Sequence, residues 1–361
     1  MPIPRRYIKK IKRILILYWG FFGDVLLTTP FIEILRKGFP GAHITYIVGR
    51  GFRSYESADE LLMYNPNIDN VIKAGVSLPG KVIRDEPYDL AIDLCGNKTC
   101  SLIVKLSGAR MKISGRFRGL PSRFRYSECF EGEWSPLLKK RLKKITYWTY
   151  RVQPFLELAS FLGIDTKRFA EPKIYLSRRE ENFSKSFLKK IHRKNRVVIA
   201  IQPGGRVHLR LWSTRNYAAL ADGLMEKYNA KILVFYYVPF EKYFADRVCE
   251  QADNGLSRMS ERDIRRYLAK IAACDLFIGT DGGALQMALA LGVPAVGIFK
   301  NRENAIYWYN YERRKGLFSV FVRPDGNPER KVVPAGMKRR DAKDVRLVLG
   351  AAEEALRLKR A

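Results

Sequence analysis

Short apolar stretches alternate with longer stretches in which apolar residues recur at helical spacing. In the first half of the chain, strands are predicted at 13–17, 43–48, 71–73 and 90–94, and a helix is predicted at 25–39. In the second half, strands are predicted at 197–201, 232–235, 276–278 and 295–299. This alternation is typical of parallel sheets covered by helices, so we expect the α/β class and two Rossmann-like halves.

A highly charged stretch at 177–195, predicted to be helical, separates the two halves. We place the domain boundary near Pro172, which gives an N-terminal domain at 1–172 and a C-terminal domain at 173–340. The last stretch, 341–361, carries a helical apolar stripe. It either closes the second domain or crosses back onto the first.

The charge balance narrows the class of partner. The 361 residues include 66 Lys and Arg against 36 Asp and Glu, a net charge of +30, while a hydrophobic content of 47% is ordinary for a folded protein. The surplus predicts an anionic partner: nucleic acid, an anionic membrane surface or phosphorylated substrates. Five cysteines without a CxxC pair and three histidines offer little material for a metal site, so we expect none.

The amino terminus places a basic stretch before an apolar one, as a signal peptide does. The apolar run is short, lacks a small-residue cleavage site and leads directly into the first predicted strand and helix. No window reaches the roughly 18 continuous apolar residues of a membrane span. We therefore expect a cytoplasmic protein with at most peripheral membrane contact.

The turn after the first predicted strand contains Gly23 and Asp24. The carboxyl ends of strands are where open α/β sheets build their sites. The turn is neither a GxGxxG fingerprint nor a P-loop. Asp24 has two interpretations, which one residue can combine: the N-cap of the following helix, and a general base at the mouth of the sheet.

A loop with the composition of an anion site follows the strand predicted at 276–278. Asp281 precedes Gly282 and Gly283 at the start of a helical stretch, where backbone N–H groups and the helix dipole favour an oxyanion. Alternatively, the glycines form a tight turn that needs a positive φ. Asp281 either binds a ribose or sugar hydroxyl or caps the helix.

Another such loop follows the strand predicted at 197–201. Gly204 and Gly205 permit close backbone approach, and Arg206 and Arg210 are either solvated or positioned to neutralise a diphosphate through forked hydrogen bonds. Convergence of this loop with the Asp281 loop at one sheet edge would create a pocket for a nucleoside diphosphate.

The order and spacing of these motifs resemble glycosyltransferase family 9, the ADP-heptose:lipopolysaccharide heptosyltransferases. The segment RILILYWGFFGDVLLTTPF is similar to the family's opening strand, GD turn and TTP-like stretch, and YDLAIDLCGN is similar to its YDLVIDLQGN. LSGAR resembles the family's LSGAKRRIG, QPGGRVHLRLW resembles its PGA…K-x-W-P, and IGTDGGALQMALALGVPAVGIF resembles its VGNDSGPMHLAAALGTPVVALF. The likeness extends from about residue 13 to about residue 300.

The resemblance implies a GT-B fold, in which two Rossmann-like domains face a cleft, with the acceptor on the N-terminal domain and the donor on the C-terminal one. It implies an inverting transferase that needs no metal or other cofactor and moves heptose from ADP-heptose to an anionic lipopolysaccharide core acceptor. Its place would be the inner face of the cytoplasmic membrane, in peripheral contact with anionic lipid.

Two alternatives stay open. One is a related transferase that uses another nucleotide sugar for a different surface glycan. The other is a basic nucleic-acid-binding protein. Against the second, glycines and carboxylates lie at strand ends and no RNA-binding motif is visible, so we expect no nucleic-acid partner.

The resemblance assigns roles by position. Asp24 matches the aspartate taken as the base that deprotonates the acceptor hydroxyl, and Glu241 falls where the family has a glutamate that can hold the nucleoside. The implied donor-binding residues are Gly204, Gly205, Arg206, Arg210, Trp212, Glu241, Asp281, Gly282, Gly283, Ala284 and Gln286. The implied acceptor-binding residues are Gly23, Thr28, Arg116 and Arg118.

Arg116 and Arg118 belong to a basic and aromatic segment at 110–151 on the acceptor domain. This segment is either a solvated surface or one on which aromatic side chains lie at a lipid interface while basic groups meet phosphates. The same composition would also suit RNA.

Three positions depart from the family pattern. Gly282 replaces the usual Ser or Thr, Gln286 replaces the usual His, and Arg210 stands where lysine is common. The first two changes bear on the identity of the transferred sugar.

Overall fold

A computed structural model describes residues 10–50, 58–74, 87–95, 98–114, 150–167, 170–191, 197–310, 312–322 and 343–360. The chain divides into two compact units, Met1–Tyr175 and Leu176–Ala361. Arg116 and Arg118, with most of the basic and aromatic segment, lie outside the described residues.

The first unit contains a parallel sheet with the order β3-β2-β1-β4-β5. Its strands are β1 (Arg13–Gly20), β2 (His43–Arg50), β3 (Asn70–Lys73), β4 (Leu90–Asp93) and β5 (Met111–Ser114). Its helices are α1 (Phe22–Leu26), α2 (Thr29–Gly38), α3 (Lys98–Leu106) and α4 (Gln153–Phe161), with a 3₁₀ helix at Ala58–Leu62. The strand order reverses between β1 and β4, so their carboxyl ends form a topological switch point.

The burial of the central strand β1 shows that this sheet is covered on both faces. Ile14, Leu15, Ile16 and Leu17 are all fully buried, although successive side chains of a strand point to opposite faces. A continuous apolar run is the pattern of a parallel strand with helices on both sides.

The prediction of a single helix at 25–39 is wrong, because the chain breaks between α1 and α2. The Thr28 hydroxyl donates to the Val25 carbonyl at 2.7 Å, and the Thr29 hydroxyl donates to the Leu26 carbonyl at 2.8 Å. Pro30, at the second position of α2, has no N–H with which to continue the first helix.

The second unit contains a parallel sheet with the order β11-β10-β9-β6-β7-β8. Its strands are β6 (Val198–Gln202), β7 (Lys231–Tyr236), β8 (Ser257–Ser260), β9 (Leu276–Thr280), β10 (Ala295–Phe299) and β11 (Leu317–Phe321). Its helices are α5 (Arg178–Ile191), α6 (Thr214–Tyr228), α7 (Lys242–Gln251), α8 (Ile264–Ala272), α9 (Gly283–Ala290), α10 (Arg302–Tyr309) and α11 (Lys343–Arg360), with 3₁₀ helices at His208–Arg210 and Pro239–Glu241. Here the order reverses between β6 and β9.

The C-terminal helix α11 packs on the second unit. Its Val345, Val348 and Ala352 are fully buried in the same apolar cluster as residues of β6 and α6. Lys227 at the end of α6 lies 2.7 Å from Glu353 of α11. No helix within the described ranges is long and apolar enough to cross a membrane.

Candidate functional site

The two loops singled out in the second half of the chain meet at the carboxyl ends of β6 and β9. These strands are neighbours, with Gln202 in register with Gly279. A guanidinium nitrogen of Arg210, from the loop after β6, lies 2.9 Å from a carboxylate oxygen of Asp281, which follows β9. The structure therefore brings these loops together at the switch point, where α/β sheets bind ligands.

The Asp281 carboxyl is enclosed by polar partners. Its side chain is only 5% exposed, against 29% for Arg210. Burial raises the pKa of Asp281, while Arg210 and hydrogen bonds with Tyr309 and Asn304 counteract the rise. Gly282, not Asp281, is the N-cap residue of α9, so the interpretation of Asp281 as a helix cap is wrong.

The Gly282 backbone is held by Tyr309. The Gly282 N–H donates to the Tyr309 hydroxyl at 2.8 Å, and that hydroxyl lies 3.0 Å from the Gly282 carbonyl oxygen. Gly282 has φ −176°, an extended conformation, and Gly283 also lacks a positive φ. The alternative of a tight turn that needs positive φ is therefore wrong.

A buried hydrogen-bond network lies next to Gly204, in the loop that follows β6. The Glu241 carboxylate accepts hydrogen bonds from the Gln202 amide and the Tyr237 backbone N–H, both at 3.0 Å. Tyr267 donates to the Gln202 side-chain oxygen. Glu241 is thus held beneath Gly204, where a Cβ would come within 2.8 Å of the Glu241 Cβ.

The other predicted donor residues divide into interior and surface positions. Trp212 is buried, with its ring edge-on to Tyr217 at 5.0 Å between centroids. Gln286 is also buried and donates to the Trp308 carbonyl at 2.6 Å. Arg206 is exposed, whereas Gly205, Gly283 and Ala284 are half-buried.

Asp24 lies at the switch point of the first unit, just beyond β1. It is the third residue of α1, and its carboxylate accepts the backbone N–H of Phe21 at 3.2 Å. Phe21 is the N-cap residue, so the N-cap alternative for Asp24 is wrong. Burial raises the pKa of this half-buried carboxyl, and Arg151 and the Phe21 N–H counteract the rise.

Tyr18 and Arg151 form a polar pair beside Asp24. Arg151 donates to the Tyr18 hydroxyl at 3.2 Å. The Arg151 charge lowers the pKa of Asp24, and the Asp24 charge in turn raises the pKa of Tyr18. Of the predicted acceptor residues, Gly23 is half-buried, and Thr28 is fully buried with its hydroxyl 2.9 Å from that of Tyr46. In the structure the Thr28 hydroxyl is therefore bonded within the interior of the first unit.

Among the residues that the structure describes, no three His, Cys, Asp or Glu side chains cluster in a way that could hold a metal ion. The carboxylates of both switch points are instead engaged by cationic or amide groups of the same unit.

Comparison with known proteins gives a consistent result. The sequence model of glycosyltransferase family 9 (heptosyltransferase) matches residues 79–329. The chain belongs to this family. Lipopolysaccharide heptosyltransferase 3 of Escherichia coli K12 is 25% identical to this family 9 chain over 317 residues, covering 80% of the chain and 82% of the relative.

Two solved structures share the fold of this family 9 glycosyltransferase. The family 9 protein from Veillonella parvula aligns with a TM-score of 0.73 at 19% identity, over 96% of this chain and 98% of its own. The E. coli ADP-heptose lipopolysaccharide heptosyltransferase II aligns with a TM-score of 0.72 at 16% identity, over 97% of this chain and 100% of its own. The fold is GT-B, built from the two Rossmann-like units.

The switch point of each unit also involves residues that are not among the predicted site residues. In the first unit, Tyr18 and Arg151 interact electrostatically with Asp24. In the second unit, Gln202 bonds Glu241, Tyr267 bonds Gln202, and Tyr309 bonds Gly282. Gln202 alone carried a signal, because it is a polar residue that ends the otherwise apolar strand VIAIQ.

Proposed function

We propose that this family 9 glycosyltransferase transfers heptose from ADP-heptose to a lipopolysaccharide core acceptor, with inversion at the anomeric carbon. The observation that carries the proposal is the pair of switch points: a half-buried carboxyl with a raised pKa in one unit, and an arginine–aspartate pair in the other. The choice of heptose and of the acceptor rests on the relatives, which are lipopolysaccharide heptosyltransferases.

The acceptor step is proton removal by Asp24. The Asp24 carboxylate takes the proton of the acceptor hydroxyl while the hydroxyl oxygen forms a bond to the anomeric carbon. The bond from that carbon to the diphosphate oxygen breaks, and its electrons leave with the nucleoside diphosphate. A raised pKa suits this role, because a base works best when its pKa approaches the working pH.

The donor step is stabilisation of the leaving diphosphate. Arg210 lies at the switch point of the second unit, and its planar guanidinium can form two parallel hydrogen bonds with phosphate oxygens. Gln202 and the Tyr237 N–H hold the Glu241 carboxylate, which in this proposal accepts a hydrogen bond from a nucleoside hydroxyl. In this proposal no resident metal or cofactor takes part.

The acceptor is proposed to be an anionic glycolipid bound by the unit that carries Asp24. A net charge of +30 favours phosphorylated and membrane-bound partners, and it would hold the enzyme at an anionic surface at low ionic strength. We place the enzyme at the inner face of the cytoplasmic membrane, in peripheral contact. The basic and aromatic stretch at 110–151, with Arg116 and Arg118, stays a prediction for that contact.

A second candidate donor follows from the two departures in the Asp281 loop. Gly282 and Gln286 stand where the family has a hydroxyl residue and a histidine, so another nucleotide sugar is the alternative to ADP-heptose.

Calorimetric titration with ADP, UDP, GDP and CDP in EDTA tests the proposal. We expect selective binding of ADP without added metal, followed by transfer from ADP-heptose with an inverted anomeric configuration in the product. Preference for another nucleotide would rule out ADP-heptose as the donor but would leave the proposed glycosyltransferase activity standing. Binding of RNA together with failure to bind any of the four nucleotides would overturn the proposal.

A further inference from the structure

Gly282 and Gln286, the two positions near Asp281 that depart from the family pattern, both contact the same helix, α10. Gly282 is bonded through its backbone to the Tyr309 hydroxyl, and Gln286 donates to the Trp308 carbonyl. Trp308 and Tyr309 are the last two residues of α10. The two departures from the family pattern are therefore parts of one arrangement, in which the end of α10 is tied to the first turn of α9.

The Tyr309 hydroxyl bonds both backbone polar groups of Gly282. It accepts the Gly282 N–H at 2.8 Å, and its own proton can be donated to the Gly282 carbonyl oxygen at 3.0 Å or to the Asp281 carboxylate. Burial and the nearby Asp281 raise the pKa of Tyr309, so the hydroxyl keeps its proton at working pH. The ring is held edge-on against Phe299 at 5.1 Å between centroids.

Position 282 lacks a side chain although one would fit. A Cβ there would lie 3.7 Å from the nearest atom, the Thr280 carbonyl oxygen, and the extended backbone suits any residue. Gly282 is the N-cap of α9, and this cap has no side-chain hydrogen bond. Serine and threonine are favoured at that position because their hydroxyl accepts a backbone N–H of the first helical turn.

We propose that Tyr309 is a positioning residue for the donor site, which fixes the Asp281–Gly282 turn in place of the capping hydroxyl that this chain lacks. Tyr309 is only 1% exposed, so it acts through the turn and not by touching the donor. The proposal rests on the proposed function of this turn at the donor diphosphate and sugar.

Tyr309→Phe is the direct test, with ADP as the calorimetric probe and ADP-heptose for kinetics. The substitution keeps the ring and removes the hydroxyl, which leaves the Gly282 N–H without its acceptor. We expect ADP affinity to fall about tenfold and the donor KM to rise by a similar factor, with a smaller change in kcat. A role confined to stability would lower the melting temperature and leave donor KM unchanged.

Gly282→Ser in the Tyr309→Phe background should restore most of the ADP affinity, because the serine hydroxyl supplies an independent cap. Tyr228→Phe is the matched control: it also removes a tyrosine hydroxyl from the second unit, but at the opposite end of α6 from the donor loops. We expect no change in ADP affinity for this control.

Four outcomes overturn the inference. Unchanged ADP binding by Tyr309→Phe removes the positioning role and leaves the proposed function intact. Loss of binding without rescue by serine, or an equal loss in Tyr228→Phe, reduces the effect to general destabilisation. Failure of the wild-type protein to bind any of the four nucleotides removes the proposed function and, with it, this inference.

Discussion

Gly204 and Glu241 approach so closely that a Cβ at position 204 would lie 2.8 Å from the Glu241 Cβ and 3.2 Å from its Cα. Gly204 follows β6 and Glu241 follows β7, so the contact fastens two neighbouring strand-end loops to each other. Because Glu241 is buried and engaged by Gln202 and the Tyr237 N–H, it has little room to move away. Glycine at 204 is thus required by close approach.

Gly204→Ala should therefore displace Glu241 and damage the proposed donor site. Overpacking of this kind costs about 1–3 kcal/mol of stability, and we expect ADP affinity to fall at least about tenfold. Gly255→Ala is the control, because a Cβ there meets no atom within 4 Å and should change neither quantity. Calorimetry and thermal melts measure both. Wild-type ADP affinity in Gly204→Ala would show that Glu241 does not contribute to the donor site.

Asp24→Asn should abolish transfer while leaving ADP binding intact. The amide cannot take a proton from the acceptor hydroxyl, and loss of a general base costs about 10²–10⁴-fold in rate. Asparagine keeps the shape of the side chain and retains an oxygen that can accept the Phe21 N–H. Single-turnover transfer from ADP-heptose measures the effect. A variant that turns over at the wild-type rate would require another base.

The environment of Asp24 predicts a pH dependence. Burial raises the pKa of the Asp24 carboxyl and Arg151 lowers it, so removing the Arg151 charge should raise the pKa further. In the proposed mechanism the base is the ionised Asp24 carboxylate, and the acid limb of kcat/KM should therefore move to higher pH in Arg151→Met. Arg151→Lys keeps the charge and should move the limb less.

The Arg151 variants are compared at saturating donor. Arg151 also donates to the Tyr18 hydroxyl, and Tyr18→Phe removes that bond while keeping the arginine charge. We expect the acid limb of Tyr18→Phe to stay closer to that of the wild type than the limb of Arg151→Met. Identical acid limbs in Arg151→Met and the wild type would contradict the electrostatic coupling between Arg151 and Asp24.

The sequence pattern was most informative for the interior of each sheet. The central strands β1, β6 and β9 are continuous apolar runs, and all were predicted within a few residues. The strands that were missed, β5, β8 and β11, each form an edge of a sheet. MKIS and SRMS contain charged and polar residues, because an edge strand is partly exposed and needs no apolar run.

The candidate site divides in a similar way. Motifs local in sequence, such as Asp281-Gly282-Gly283 at the end of β9, were recognisable because strand ends are where α/β sites form. Partners from distant parts of the chain could not be recognised in this way. Arg151, which precedes α4, bonds Tyr18, and Tyr309, the last residue of α10, bonds Gly282. Such contacts depend on tertiary packing, which leaves no local pattern.

The Arg210–Asp281 pair predicts the behaviour of two variants of the proposed donor site. Arg210→Ala removes the cation proposed for the diphosphate, and we expect ADP affinity to fall at least about tenfold. It also leaves the 5% exposed Asp281 side chain without its counter-ion, which should destabilise the second unit. Asp281→Ala should weaken binding of ADP-heptose more than binding of ADP if the carboxylate holds the sugar.

Calorimetry with both ligands, together with thermal melts, separates these effects. Arg210→Lys retains the charge but cannot form the paired hydrogen bonds of a guanidinium, so its ADP affinity should lie between those of the wild type and Arg210→Ala. Unchanged affinity in both alanine variants would place the donor pocket elsewhere.

The Glu180–Arg265 pair, which joins α5 to α8, predicts the acid stability of the second unit. Arg265 of α8 donates to both carboxylate oxygens of Glu180 at 2.8 Å, and Glu180 also accepts the Ser177 N–H at 2.7 Å. Burial tends to raise the pKa of Glu180, but the bonds from Arg265 and Ser177 outweigh it and lower the pKa. A lowered folded-state pKa gives stability that is present above the unfolded pKa and lost as the pH falls through the folded one.

Glu180→Gln should therefore cost about 2 kcal/mol at neutral pH, because the amide cannot satisfy both guanidinium donors. The difference from the wild type should shrink as the pH falls through the lowered Glu180 pKa. Glu312→Gln is the matched control, since the Arg302–Glu312 pair is 69% and 61% exposed and such pairs contribute less than about 1 kcal/mol. Urea unfolding across this pH range measures both variants. An equal loss for Glu180→Gln at all pH values would mean that packing, not charge, supplies the stability.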